Sequence, residues 1–231
     1  MTDDAIRELF GQVPYWADQT IRLYDPVALY EDFITEAYWS SRASVNVAEL
    51  RGMWLESAQA PSWREFLDGE KTAANLRLFR ENPGYYTGLP ERNPSMSFIR
   101  VNGRLYVEYD GRCRAVIAKF HLDSQSSPYL HNVELREYTV DFEFMGLYGE
   151  LVKTSPARFK VNVAHALDHR EDGPGWKRDY YRKLSAQVTD TRTGKSTVYD
   201  KFGLMETVAA LKRKEHCLFG RIFWRIEGGI S

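Results

Sequence analysis

The chain is poor in cysteine, in long apolar runs and in net charge, and each shortage excludes something. Cys113 and Cys217 are the only cysteines in 231 residues, and they lie 104 positions apart. Two thiols without a CxxC spacing build no disulfide framework, so a reduced, cytoplasmic protein is expected. No segment approaches the ~18 consecutive apolar residues of a membrane span. The N-terminus, Met1 to Glu8, is acidic with no apolar run after it, which reads against a secretory signal peptide. There is no glycine or proline period, internal repeat or low-complexity tract, so fibrous architectures are excluded. What is present is a globular composition, 43% hydrophobic and 14% aromatic, too apolar for a disordered polymer. The length suits one large domain, or one domain with an appended lobe.

The formal charge of −1 conceals a gradient. Residues 1–95 carry 9 basic and 15 acidic side chains, a balance of −6. Residues 96–150 carry 6 and 8, and residues 151–231 carry 16 and 9, balances of −2 and +7. A basic C-terminal third suits either a nucleic-acid or phosphate surface, or simply a solvated face.

Residues 1–82 read as a helical lobe. Asp3 or Asp4 can cap a first helix through Ile6, Leu9 and Phe10. From Pro26, the apolar positions Leu29, Tyr30, Phe33, Ile34, Ala37 and Tyr38 follow the spacing of one helical face. Shorter helical pieces are expected over 48–57, 62–67 and 70–80. Trp16, Trp39, Trp54 and Trp63 fall in this lobe, as core or as a docking surface. The Pro-, Gly- and Asn-rich stretch 81–94 reads as a loop and as the lobe boundary.

The middle of the chain carries the sharpest signal. Two β-type runs, 97–101 and 104–109, flank Asn102-Gly103, a strong hairpin marker because both turn residues must adopt positive φ. Asp110-Gly111-Arg112-Cys113-Arg114 follows at once, then an apolar helix over 115–120. A helix N-terminus presents backbone N–H groups and partial positive charge, and a preceding glycine lets an anion approach. Arg112 and Arg114 add phosphate donors. Asp110 can cap the helix, hold an arginine or ligate magnesium brought in with a nucleotide. Glu108, two residues earlier on the strand, can serve as base or metal ligand. The alternative is an ordinary strand–turn–helix corner with surface arginines.

The run from Leu105 to Lys119 resembles the signature of the ParB/sulfiredoxin superfamily, a strand followed by Asp-Gly-x-His-Arg and an Ala-rich helix. The resemblance is close over about 20 residues and loose over 80–145. It implies that Gly111, Arg112, Cys113 and Arg114 contact nucleotide phosphates, with Asp110 and Glu108 placing metal or water. Cys113 replaces the usual histidine. Arg112 stands where sulfiredoxins carry their reactive cysteine, which argues against sulfiredoxin activity. No helix-turn-helix follows, which argues against a centromere-binding partition protein. Among solitary members, plasmid-encoded fertility-inhibition and oncogenic-suppression proteins are similar in size. They imply ATPase or DNase activity and interference with conjugative DNA transfer.

Further on, 133–144 and 159–163 alternate as strands. Leu184 to Val188 reads as a strand that turns at 190–194 and returns over 197–199. A helix over 204–216 and a strand over 218–226 close the chain. Gly194-Lys195-Ser196 lacks the upstream glycine of a phosphate-binding loop and sits in a turn. His165 and His169 would suit a metal only on a helix, whereas here they leave a strand. Lys177, Arg178, Arg182 and Lys183, interleaved with Trp176, Tyr180 and Tyr181, suit contact with DNA or an amphipathic element with buried aromatics.

These readings combine into an α+β protein: a helical lobe (1–82), a ParB/sulfiredoxin-like mixed-sheet core (83–150) and a basic α+β portion (151–231). The expected ligands are a nucleoside triphosphate with magnesium, DNA, and a protein of the conjugation machinery. The alternatives are a non-catalytic interaction protein that keeps a degenerate nucleotide site, and a small-molecule kinase of the free-serine type.

Overall fold

The computed structural model describes residues 1–57, 59–88, 96–125, 127–154, 157–173 and 177–213, with side chains left out at 154, 168–173 and 177–179. The expected strand over 218–226, residues 214–216 of the expected helix and Trp176 lie outside the described residues. The chain is α+β with a mixed sheet, in two compact units. One comprises residues 1–29, 36–139 and 170–180, and the other residues 30–35, 140–169 and 181–231. Neither 82/83 nor 150/151 is a boundary between these two units.

The first unit opens with α1 (Asp3–Phe10), capped by the Thr2 hydroxyl, which accepts from the Ala5 N–H, rather than by Asp3 or Asp4. Strand β1 (Arg22–Leu23) follows. The helix expected from Pro26 to Tyr38 is absent. A 3-10 turn spans Val27–Phe33, and the chain then extends as β2 (Ile34–Asn46). Tyr38-Trp39-Ser40 and Ser44-Val45 suit a strand, and position in the sheet overrides an apolar spacing that fits both periods. The helical piece expected over 48–57 is likewise a short 3-10 turn, Val47–Glu49, and β3 (Leu50–Met53). Helices α2 (Trp63–Asp68), with a Ser62/Glu65 capping box, and α3 (Glu70–Glu81) stand where expected. The expected loop contains a short helix, α4 (Gly84–Thr87).

The hairpin is present as β4 (Ser97–Val101) and β5 (Arg104–Val107), with Asn102 and Gly103 at φ 46° and 77°. Then come α5 (Arg112–Asp123) and β6 (Tyr129–Val140). The strand expected to reach Phe144 stops at Val140. Asp141 accepts from the Phe144 N–H at 2.9 Å and starts a helix, α6 (Phe142–Thr154), because a side-chain acceptor there satisfies a first-turn amide.

In this unit the strand order is β1-β3-β5-β4-β6-β2. Neighbours β1–β3, β3–β5 and β4–β6 run parallel, and β4–β5 antiparallel. Alternation along the strands sends Phe98, Leu105, Val107, Val133 and Leu135 to the helical side, where one core joins them to α1, α2, α3 and α5. Ile99 and Tyr106 point the other way, and Tyr106 meets Tyr24 at 5.5 Å between ring centres.

Helix α5 is the centre of that core. Residues 115–120 are buried without a break, so the helix is enclosed on every side and Lys119 is buried with it, at 4% exposure. Its ammonium donates to the carbonyls of Val47 (3.1 Å) and Ala48 (3.2 Å) in the 3-10 turn. It also sits over the rings of Trp16 (4.4 Å) and Trp63 (5.4 Å), a cation–π box. Trp16 and Trp63 thus serve the core, whereas Trp39 and Trp54 are half-buried.

Strands β7 (Phe159–Gly173), β8 (Lys177–Asp190) and β9 (Ser196–Tyr199) are adjacent, and residues 159–169, 181–190 and 196–199 of them belong to the second unit. The β8–β9 pair is the expected hairpin, with Gly194 at φ 72° in its turn. Residues 201–213 are helical. Phe144, Leu151, Ala186, Val188, Leu204 and Val208 form this unit's core. Among the described residues, no helix is long and apolar enough to cross a membrane.

Burial of Lys119 gives the first prediction. Desolvation pulls its pKa down to about 8, opposed by the charge of Asp123 and reinforced by Arg51. Between pH 8 and 10 the unfolded chain keeps a proton that the folded chain has lost, so stability rises with pH. Above pH 10 the effect reverses. Burial raises the Tyr24 phenol to about 12, so there the unfolded chain loses its proton first. Urea unfolding should show a gain of about 2 kcal/mol from pH 8 to 10. Lys119→Met should flatten that rise, and an equal rise in the variant would refute the assignment.

Candidate functional site

The expected turn is real and is held by steric necessity. Gly111 sits at φ 82°, ψ 14°, a left-handed conformation. A Cβ there would lie 2.5 Å from Met96 Cγ and 3.0 Å from Met96 Cβ. Met96 is completely buried, so it has no room to retreat. The backbone therefore reverses from strand to helix at the one residue type that tolerates both constraints. The first intrahelical bond runs from the Ala115 N–H to the Gly111 carbonyl at 2.7 Å, and no side chain caps the helix.

This N-terminus opens into a cleft of about 660 Å³. One wall is the C-terminal half of α3 with α4, through Asn75, Leu78, Phe79, Glu81, Asn82, Tyr85 and Tyr86. The other is Tyr109 with the whole of 110–114. The sequence thus named five of the lining residues. It missed the α3–α4 wall, for which only the Tyr85-Tyr86 pair inside a punctuated loop gave a signal.

The two arginines are aimed differently. Arg114 donates to the Tyr85 hydroxyl at 3.0 Å and pairs with Asp110 one turn back at 3.5 Å. Arg112 donates to the Trp54 carbonyl at 3.1 Å, with its guanidinium 5.6 Å from the Trp54 ring centre. The Cys113 thiol donates to the Lys71 carbonyl at 3.5 Å. Asp110 is largely exposed at the mouth.

Glu108 does not join them. It is buried, at 6% exposure, and is not among the lining residues. Its carboxylate meets Arg136 at 3.1 Å, and Arg136 also pairs with Glu134 at 2.9 Å. Glu134 accepts from Trp39 Nε1 (3.0 Å) and Ser97 Oγ (3.3 Å). Burial raises the Glu108 pKa against the opposing pull of Arg136. Burial also resists ionisation of Glu134, but the Trp39 donor and Arg136 carry its pKa below the ordinary value. The expected pair of carboxylates is thus split, with Asp110 at the cleft and Glu108 in a separate network.

The four basic candidates of the C-terminal third lie on β8. Lys177 and Arg178 have side chains outside the described residues. Arg182 and Lys183 are consecutive, so strand alternation puts them on opposite faces, Arg182 half-buried and Lys183 exposed. Arg182 and Lys183 therefore do not share a stripe. His165 and His169 lie within β7, not beyond it, and the His165 Nε2 is 3.7 Å from Asp32. Among the described residues no group of three or more His, Cys, Asp or Glu is placed to hold a metal.

Comparison with models of protein families, with curated proteins and with solved structures finds no match for this chain.

The turn makes a direct prediction. Gly111→Ala should cost about 2–4 kcal/mol of unfolding free energy, from left-handed strain and the Met96 clash together. In a double-mutant cycle with Met96→Ala, the double variant should be more stable than the sum of the single losses. Strict additivity would show that the two residues do not oppose each other.

Proposed function

We propose that this is a nucleotide-binding protein of ParB/sulfiredoxin-like character, in which residues 110–114 hold the phosphates. One observation carries the reading. An uncapped helix N-terminus opens into a cleft that both Arg112 and Arg114 line. Backbone amides beside arginine side chains at one concavity suit a phosphate, which takes both kinds of donor.

Asp110 suits a magnesium ion carried by the nucleotide. Magnesium takes one or two protein carboxylates, with phosphates and water completing its shell. Asp110 and Glu81 line the cleft and match that donor set. When bound, the ion would neutralise phosphate charge. The chain's own part is to orient the phosphates through Arg112, Arg114 and the α5 amides. The ParB/sulfiredoxin resemblance adds the wider proposal of nucleotide or DNA hydrolysis in the service of blocking plasmid transfer. The basic C-terminal third adds a DNA contact.

A second reading, binding without turnover, has its own support. Asp110 is paired with Arg114 and Glu108 with Arg136, so neither carboxylate is set up as a base beside the α5 N-terminus.

Calorimetric titration of magnesium–ATP and magnesium–CTP tests the phosphate site. Wild type should bind, and Arg114→Ala should bind roughly 10- to 100-fold more weakly, the value of one charged hydrogen-bond donor. No binding by wild type would remove the proposal. Phosphate release or DNA nicking with magnesium would favour the catalytic reading, and tight binding without either would favour the second. If DNA is held electrostatically, its affinity should fall steeply between about 50 and 200 mM salt. A flat salt response would remove the DNA contact.

A further inference from the structure

We infer that the cleft recognises its nucleotide by stacking the base on Tyr109, without reading the base's edge; this rests on the phosphate reading above. Tyr109 is 57% exposed, although it is a large aromatic in a position the fold fully defines. It lines the cleft and stands two residues before Gly111, so two extended residues of ~7 Å at most separate it from the phosphate turn. A ribose is the natural spacer across such a gap.

The ring is also braced. Trp54 lies 5.2 Å from it, centre to centre, and the Arg112 guanidinium lies 5.6 Å from Trp54 on the way to the Trp54 carbonyl. Tyr109 and Arg112 both pack on Trp54, which gives the Tyr109 ring a ledge to lean on beside the phosphate turn. A rigid exposed ring at the edge of a concave site is a stacking platform, and it offers little base discrimination because every base has a π face. The opposite wall is spoken for differently. The Tyr85 hydroxyl accepts from Arg114, and Tyr86 and Phe79 are buried in the core at 5.7 Å from each other.

The ledge predicts two behaviours. ATP and CTP should bind within a few-fold of each other, purine slightly ahead. Tyr109 should matter for nucleotides and not for inorganic tripolyphosphate, which has phosphates and no base.

The experiment titrates magnesium–ATP, magnesium–CTP and magnesium–tripolyphosphate against wild type, Tyr109→Ala and Tyr109→Trp. Thermal unfolding of each variant confirms that this exposed position leaves the fold intact. Expected is a roughly 5- to 100-fold loss of ATP affinity in Tyr109→Ala, retention in Tyr109→Trp and unchanged tripolyphosphate binding in all three. Tripolyphosphate binding with ATP affinity unaltered by Tyr109→Ala would overturn the stacking site while leaving the phosphate site standing. Equal losses of ATP and tripolyphosphate in Tyr109→Ala would overturn it too, by placing Tyr109 at the phosphates. More than tenfold discrimination between ATP and CTP, removed by Asn75→Ala or Asn82→Ala, would show edge reading. Failure of wild type to bind any of the three would remove the phosphate site itself.

Discussion

The contact between Gly111 and Met96 is the constraint on which the first unit depends. Met96 immediately precedes β4 and is fully buried, and Gly111 immediately precedes α5. The Met96 side chain lies so close to the Gly111 backbone that no Cβ fits between them. That approach closes the unit β4–β5–α5 on itself. The hairpin returns the chain to its starting edge, and the glycine then redirects it across the sheet. Once α5 is launched, its six consecutive buried residues, 115–120, set where α2, α3 and α4 pack. The same turn fixes the position of the α5 N-terminus. Core and cleft are therefore consequences of one packing event.

Enclosing a helix on all sides has a cost that the structure meets locally. A helix without a solvent face has nowhere to put a lysine, and Lys119 falls in the middle of the buried stretch. Two carbonyls and two indole faces take the place of water, and Trp16 is itself tied down by its Nε1–H donating to Asp123 at 2.9 Å. These groups come from α5, the 3-10 turn after β2, the segment after α1 and the start of α2. The lysine thus joins segments far apart in sequence. A charge that must be satisfied wherever it is buried is also a positional marker, because few alternative packings supply that set of partners.

How much of this was legible follows from how local each signal is. The hairpin, its Asn-Gly turn, the glycine corner and α5 are all specified within a few residues, and each stands where its residues placed it. Strand β2 is not local. Leu29, Tyr30, Phe33, Ile34, Ala37 and Tyr38 satisfy a helical period, and nothing within the segment shows that the chain after Phe33 will join a sheet. Asp141 marks the converse. Alternation continues visually into Phe142 and Phe144, while a single capping side chain ends the strand. The site divides in the same way. Residues 110–114 form one turn and were found together. Glu108 lies on the same strand run by spacing, but its partner Arg136 comes from β6, and only the parallel pairing of β4 with β6 brings that strand near. The α3–α4 wall is likewise a product of tertiary packing.

The charges that line the cleft cancel. Arg112, Arg114, Glu81 and Asp110 all line it, so the concavity is not strongly positive, in keeping with the nearly neutral middle of the chain. A polyanion entering it would meet Asp110 as well as Arg114, and the two are already paired. A phosphate that takes Arg114 competes with Asp110 for it. A carboxylate displaced in that way, exposed and beside the phosphates, is an acceptor in need of a cation. The backbone amides of α5, whose dipole no side chain caps, are the donors that remain unchanged throughout. A weakly charged cleft of this kind therefore suits a nucleotide that arrives with its own metal ion better than a bare phosphate ester.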